Sequence, residues 1–455
     1  MRPSTPLSAA LPPLVMGTAT FNSQYNADPY ALPTTELVQR ALSSGIRAFD
    51  TSPYYGPAEE LLGRALATDY VRSHFPRNTY HLLTKVGRIA SSSFDYSPAW
   101  IRHSSTATMW NSSPLSEVLT AVRELRRLRD EDGVLRYVGI SGYPVDALSD
   151  LAEMILRETG EPLDIVMSYA NFTLQNTRLH SLALPRLLAA GVDVVPNASP
   201  LGMGLLRRDG VPIGSMGDFH PAPDALRRVI HEAAESATRH GEKLEVVAIR
   251  FALETWMRAG AKAGGLGAPL ARTVDADPGF LSVANIGTGK KLGVSVMGVS
   301  NIAELDETLR VWHSIVDGLE NWNEEDEDED LEARIQSAGP CTPASAGGGA
   351  VSSVANLPTP SEGLITDRAW SQERQARILQ LAKEIRDVLG PEWVDYVWAS
   401  PGADFQNYLS EEHVATLQRI VAEEAQGKAA VSVVESSSIG DAMLTPPLDV
   451  ENRLV

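Results

Sequence analysis

Between residues 14 and about 318, short β-branched runs alternate with amphipathic helical stretches, which restricts the chain to folds whose βα units surround a parallel sheet. Strands are expected at Val15–Thr18, Ile46–Thr51, Tyr80–Val86, Arg136–Ser141, Asp164–Tyr169, Asp193–Ala198 and Gly293–Gly298, seven in all. The intervening helices carry their own punctuation. Pro33-Thr34-Thr35-Glu36 opens one with a cap and a first-turn acid, Leu37, Val38, Ala41 and Leu42 follow at helical spacing, and Gly45 ends it. Ser116 opens another, with Val118, Leu119, Val122, Leu125 and Leu128 on one face and a stop at Gly133. Residues 224 to 258 carry two more, whereas the Gly/Ala-rich stretch from Gly260 to Lys291 has no assigned structure. Its Gly287-Thr288-Gly289-Lys290-Lys291 lacks the first glycine and the final Ser/Thr of a phosphate loop, with Ala284 and Lys291 in their places.

The 455 residues exceed the ~250 of an ordinary α/β barrel. The expected architecture is therefore a (β/α)8 TIM barrel over residues 1–318 with appendages. Residues 319–366 begin with a block of like charge, Glu324 to Asp330 with Glu320 and Glu332, then become Ser/Gly/Pro-rich, and are expected to be a disordered linker. In residues 367–409, Ser371 to Leu389 is helical by period, and Gly390 to Trp398 is aromatic enough to dock on the barrel. A helix and a disordered tail are expected over 410–455. A net charge of −19 argues against nucleic-acid binding, and no run of ~18 apolar residues suggests a membrane span. Met1 to Pro13 lacks the pattern of a secretion signal, and the single cysteine, Cys341, can form neither a disulfide framework nor a thiolate metal cage. These features fit a cytoplasmic monomer without a metal, with an inert thiol at Cys341.

Active-site groups of a parallel barrel sit just beyond the C-terminal ends of its strands. After the second run comes Asp50-Thr51-Ser52-Pro53-Tyr54-Tyr55-Gly56, and the third ends in Thr84-Lys85-Val86, so an acid, a phenol and an amine converge on one mouth. These types suit hydride transfer at a carbonyl or alcohol. A tyrosine must exchange the oxygen-bound proton although its ordinary pKa is ~10. A neighbouring ammonium lowers that value, and a carboxylate keeps the ammonium charged and in place.

The run Asp50 to Gly63, with Tyr55-Gly56, Glu59 and Leu62-Gly63, resembles the signature of the aldo-keto reductases, and Lys85 follows at its expected strand end. The resemblance extends over about residues 14 to 318, through Val138 to Pro144, Asn197 to Gly204 and Met297 to Asn301. There the chain is similar to the branch that includes D-arabinose 1-dehydrogenase and L-galactose dehydrogenase, with Gly142 and Ala198 replacing the wider family's Asn and Tyr. Trp398 to Gly402 looks like the C-terminal extension of fungal members. The resemblance implies Tyr55, Lys85 and Asp50 as catalytic. It also implies Thr18 near a nicotinamide ribose, Ser141 at the carboxamide, and Ser199, Leu201 and Gly204 around the pyrophosphate.

Ser300-Asn301 precede a helix whose free amides would receive a phosphate or hydroxyl. From Gly298 to Thr308 there is no basic residue to pair with a 2′-phosphate, and Glu304 would repel one. NAD is therefore the expected cofactor, with NADP possible. Thr308 departs from the Asn that relatives often carry.

The family's fourth catalytic residue, a His ending the fourth strand, has no counterpart. After Ile101-Arg102-His103 the chain runs through a short polar connector, Ser104 to Pro114, into the next helix, so that one βα unit of ~30 residues is missing. His103 belongs to a helix, and His81 lies at the wrong end of its strand. The expected function is oxidation of a D-arabinose- or L-galactose-like sugar to its lactone, with Tyr55 as base. Alternatives are a general aldehyde or ketone reductase, or a nucleotide-binding pseudoenzyme.

Overall fold

The computed structural model describes residues 5–90, 93–103, 115–211, 217, 219–266, 291–317, 331–339, 368–398 and 410–426. Its central sheet contains β1 (Leu14–Gly17), β2 (Ala48–Asp50) and β3 (His81–Leu83). A small antiparallel hairpin of β4 (Arg88–Ala90) and β5 (Ser93–Phe94) follows. The sheet resumes with β6 (Gly139–Gly142), β7 (Ile165–Tyr169), β8 (Asn197–Ala198) and β9 (Ser295–Gly298). All its pairings are parallel, in the order β3-β2-β1-β9-β8-β7-β6. Each expected run overlaps one of the seven strands.

The first strand pairs with the last, as in a closed barrel, and strands consecutive in the chain are neighbours everywhere except between β3 and β6. Among the described residues this is the strand order of a (β/α)8 barrel with no strand in the fourth place. The two strands bordering the interruption are sheet edges. Leu82 of β3 is 39% exposed, and a cavity of about 580 Å³ is lined there by Leu62, Leu66, Tyr80, Leu82, Leu135 and Tyr137. Edges of this kind leave amides and carbonyls unpaired and are uncommon in parallel sheets.

The helix Thr34–Ser43 forms as its spacing predicts, burying Leu37, Val38, Ala41 and Leu42. The helix Leu244–Ala259 is different, because every residue from Val246 to Met257 is buried, including Arg250 and Glu254, which pair at 3.0 Å. A barrel helix ordinarily keeps a wet outer face. Here that face is covered by the helix Arg368–Trp393, which packs on both Leu244–Ala259 and Asp224–Arg239. Arg374 donates to Glu242 at 2.8 Å with both side chains buried, and His240 meets Glu384 at 2.8 Å. Gly390, at φ 69°, turns the chain out of this helix. Gln175 then donates to the carbonyls of Trp393 (2.6 Å) and Tyr396 (3.1 Å), and Asp395 accepts from the Thr177 amide at 2.7 Å.

Two elements were not foreseen. The helix Leu7–Ala10 brings Leu7 and Leu11 into the barrel interior, against Val15, Ala48, Met167 and Val296. The helix Leu331–Ser337 lies within the expected linker, burying Leu331 and Ile335, and its Glu332 bonds to Arg386 at 2.9 Å. Glu332 is exposed, as the charge run suggested, and it meets a cationic partner contributed by a distant helix. The rest of the acidic block, Cys341 and the tail from residue 427 lie outside the described residues, as does most of the Gly260 to Lys291 stretch.

Candidate active site

Asp50 closes β2, and Lys85 follows β3 by two residues. The Lys85 ammonium donates to both Asp50 carboxylate oxygens, at 2.8 and 2.6 Å, and to the Thr51 carbonyl at 2.9 Å. It also lies 5.0 Å from the centre of the Tyr55 ring. Burial alone would depress the Lys85 pKa, but Asp50 and Tyr55 outweigh it and hold the amine above its ordinary value. Asp50 is raised by burial, with Lys85 opposing. For Tyr55, the sequence suggested a phenol made more acidic by its lysine. Lys85 does pull in that direction, but burial prevails and the phenol stands above its ordinary pKa. Desolvation of a phenolate exceeds what one already engaged ammonium returns.

The residues expected around a cofactor fall on three sides of the mouth. Thr18 follows β1, fully buried, and its hydroxyl donates to the Asp50 carbonyl at 3.1 Å. Ser141 is buried in β6. After β8, Ser199 (φ 56°), Gly202 (57°), Met203 (57°) and Gly204 (93°) are all left-handed, and Leu201 is half-buried among them. Left-handed residues without glycine, such as Ser199 and Met203, cost of order 1 kcal/mol each and cluster where backbone amides must face a ligand. Such a loop fits an anionic cofactor segment.

Beyond Gly298, Asn301 caps the helix Ile302–Asp317 by accepting from the Glu304 amide at 2.9 Å, and Glu304 reaches back to the Ser300 amide at 2.8 Å. This reciprocal cap holds a carboxylate against the amides that a phosphate would otherwise use. Asn26 bridges Ser300 (3.1 Å) and the Thr20 carbonyl (2.6 Å), tying this loop to the one after β1. Thr308 is buried and bonds to the Glu304 carbonyl at 2.8 Å.

Sequence reading missed the aromatic wall. Tyr169 ends β7, Tyr143 follows β6, and their rings lie 5.5 Å apart. Trp398 of the extension stacks on Tyr143 at 5.1 Å and 13°, and its amide donates to the Tyr143 hydroxyl at 3.3 Å. On its other side His220 meets Trp398 edge-on at 5.1 Å. Their positions at strand ends were the available signal for Tyr143 and Tyr169; for Trp398 the aromatic stretch pointed to docking on the barrel but not to Tyr143.

His220 Nε2 donates to the Gly202 carbonyl at 2.8 Å, while Nδ1 accepts from the Ala222 amide at 3.1 Å. Both contacts require a neutral ring, and burial pushes its pKa down to about 4. Because the folded value lies below the unfolded one of ~6.5, the unfolded chain takes the proton first. The contribution is whole above ~pH 6.5 and is lost as pH falls toward ~4, by up to ~3 kcal/mol. Urea unfolding at about pH 7.5 and about pH 4.5 should therefore show a smaller acid loss for His220→Gln than for the native chain; equal losses would refute this.

His103 is exposed beside Trp100, and His81 opens β3, as the sequence suggested. Among the described residues no group of three His, Cys, Asp or Glu could hold a metal ion, and no helix is long and apolar enough to cross a membrane.

A family model for the aldo/keto reductase family matches residues 13–112 and 107–319. D-arabinose 1-dehydrogenase of Saccharomyces cerevisiae is 37% identical over 269 residues, 55% of this chain and 78% of the relative. L-galactose dehydrogenase of Arabidopsis thaliana is 30% identical over 235 residues, 48% of this chain and 68% of the relative. A solved aldo-keto reductase structure from Pseudomonas aeruginosa is 18% identical at a TM-score of 0.38, covering 67% of this chain and 91% of that one. With Lys85 bonded to Asp50 and lying over the Tyr55 ring at the mouth of a parallel barrel, and a family match over most of that barrel, the chain belongs to the aldo/keto reductase family.

Proposed function

We propose that this chain is an NAD-dependent aldose 1-dehydrogenase that oxidises a sugar such as D-arabinose or L-galactose at C1 to its lactone. The observation that supports this most is the ammonium of Lys85 held between the Asp50 carboxylate and the Tyr55 phenol. Tyr55 takes the proton of the anomeric hydroxyl, and Lys85 stabilises the phenolate that enables it. A nicotinamide held by the residues assigned below would supply the hydride acceptor for C1. Asp50 acts through Lys85, keeping it charged and aimed.

Cofactor choice follows from Glu304. Its carboxylate faces the start of the helix that would meet the adenosine ribose, where it accepts from hydroxyls and repels a 2′-phosphate. Thr18, Ser141, Ser199, Leu201, Gly204, Gly298, Ser300 and Asn301 are assigned to the same cofactor. The aromatic wall of Tyr143, Tyr169 and Trp398 suits the apolar face of a sugar ring.

The test is cofactor reduction with D-arabinose, L-galactose and L-fucose, each with NAD and with NADP. Turnover of at least one sugar, faster with NAD by ~10-fold or more, is expected; a preference for NADP would remove the role given to Glu304. A folded protein that binds NAD and oxidises none of these sugars would favour a pseudoenzyme, the reading that the missing His supports.

A further inference from the structure

His220 lies between the two parts of the mouth that the proposed reaction must hold together. Its Nε2 donates to the Gly202 carbonyl at 2.8 Å, in the loop assigned to the cofactor. The same ring meets Trp398 at 5.1 Å and an interplanar angle of 70°, and Trp398 stacks on Tyr143 in the aromatic wall assigned to the sugar. The imidazole is only 3% exposed, so solvent shares neither contact.

The first contact sets a backbone donor. A trans peptide carries its carbonyl and its amide on opposite sides, so a Gly202 carbonyl turned to His220 turns the Met203 amide away from it. The amides of Gly202 and Gly204 are engaged within the loop, by the carbonyls of Ser199 (2.8 Å) and Leu201 (3.2 Å). Among the described residues nothing accepts from the Met203 amide. Free amides in left-handed turns of this kind make anion sites, and a flip of this one peptide would put the Gly202 carbonyl where the donor stands. His220 itself is held from behind. Its Nδ1 accepts from the Ala222 amide at 3.1 Å, which fixes the tautomer that donates through Nε2. Arg227, in the helix Asp224–Arg239, donates to the carbonyls of His220 (2.8 Å) and Ala222 (3.0 Å), and Phe219 packs against Tyr25 at 5.2 Å. The ring is therefore a prop anchored to a barrel helix.

We propose that His220 is a positioning residue for both sites: its N–H orients the peptide between Gly202 and Met203 so that the Met203 amide is free for the anionic segment of the cofactor, and its ring sets the plane of Trp398 against which the sugar lies. The assignment deepens the reading of this mouth as a site for NAD and a sugar, and rests on it. The two duties use different atoms of one side chain, so substitution separates them. Glutamine keeps a donor at about the reach of Nε2 but has no ring, and phenylalanine keeps a ring but has no donor.

The test compares the full-length chain with His220→Ala, His220→Gln and His220→Phe. NAD affinity is read by titration calorimetry without substrate, and KM by turnover of the sugars with NAD and of 4-nitrobenzaldehyde with NADH. His220→Ala should weaken NAD binding ~10-fold, the worth of one buried hydrogen bond, and raise KM ~5-fold for the lost aromatic contact. His220→Gln should bind NAD as the native chain does while KM stays raised, whereas His220→Phe should show native KM with weakened NAD binding. Native NAD affinity in His220→Ala overturns the proposal. So does parallel loss of both affinities in His220→Gln and His220→Phe, the pattern that general loosening of the fold gives. If His220→Phe does not fold, recovery of NAD affinity in His220→Gln over His220→Ala decides. Turnover of the aldehyde but of no sugar sinks the sugar reading, and the proposal is then decided by the NAD affinities and the aldehyde KM. If the native chain turns over neither compound, the pattern of NAD affinities alone upholds or overturns it.

Discussion

Tyr55→Phe is expected to lower turnover ~10²–10⁴-fold while leaving NAD binding intact, because the ring stays and only the proton acceptor goes. The ring that stays is the one the Lys85 ammonium approaches, 5.0 Å from its centre. Lys85→Met should cost a comparable factor by a different route. Burial already holds the Tyr55 phenol above its ordinary pKa, and Lys85 is the strongest influence opposing that rise. Oxidation with Tyr55 as base gains rate as pH rises through the phenol's pKa, so removing Lys85 should move that rise to higher pH. Steady-state kinetics across the alkaline range, with fluorescence quenching by NAD as the binding control, decide both points. A Tyr55→Phe variant with native kcat would exclude the phenol from the chemistry.

The second large effect concerns stability. Glu242→Ala should destabilise the fold by ~3–5 kcal/mol, since it leaves the Arg374 charge buried and unpaired, and Arg374→Ala by less, because Arg377 remains 3.9 Å from Glu242. The pair joins the C-terminal helix to the barrel, with both side chains only 5% exposed. Replacing both together, as Arg374→Met with Glu242→Leu, should recover most of the loss, because an apolar pair needs no solvation. Urea unfolding measures all three variants. A single variant within ~0.5 kcal/mol of the native chain would mean that the pair is solvated in solution. Since Trp398 lies on the same extension and stacks on Tyr143, the single variants should also raise KM for the sugar.

What the sequence revealed and what it concealed separate along physical lines. Strands of a parallel barrel are buried on both faces, so Ile165 to Met167 reads as apolar without alternation and every residue from Ser295 to Met297 is buried. Asp50, Tyr55 and Lys85 were legible because they sit at fixed offsets from such runs. The short connector after His103 was legible for the same reason, and among the described residues no strand stands between β3 and β6 in the sheet. Trp398 was not legible as part of the wall, because its contact with Tyr143 spans 255 positions and depends on how a distant helix docks. Leu331–Ser337 was hidden in an acidic block, because the burial of Leu331 and Ile335 and the pairing of Glu332 with Arg386 depend on a helix far along the chain. The pKa of Tyr55 went the other way from the expectation because a neighbouring charge can be read from a motif, whereas burial is a property of the assembled fold.

The central claim is that hydride leaves C1 of an aldose for NAD at this mouth. It is tested most directly with D-arabinose deuterated at C1, or with the fastest sugar of the panel so labelled, followed by mass spectrometry of the reduced cofactor. One deuterium per NADH, with the lactone as the other product and no transfer in Tyr55→Phe, is the predicted result. Reduced cofactor without deuterium, or label transfer that persists unchanged in Tyr55→Phe, would contradict it.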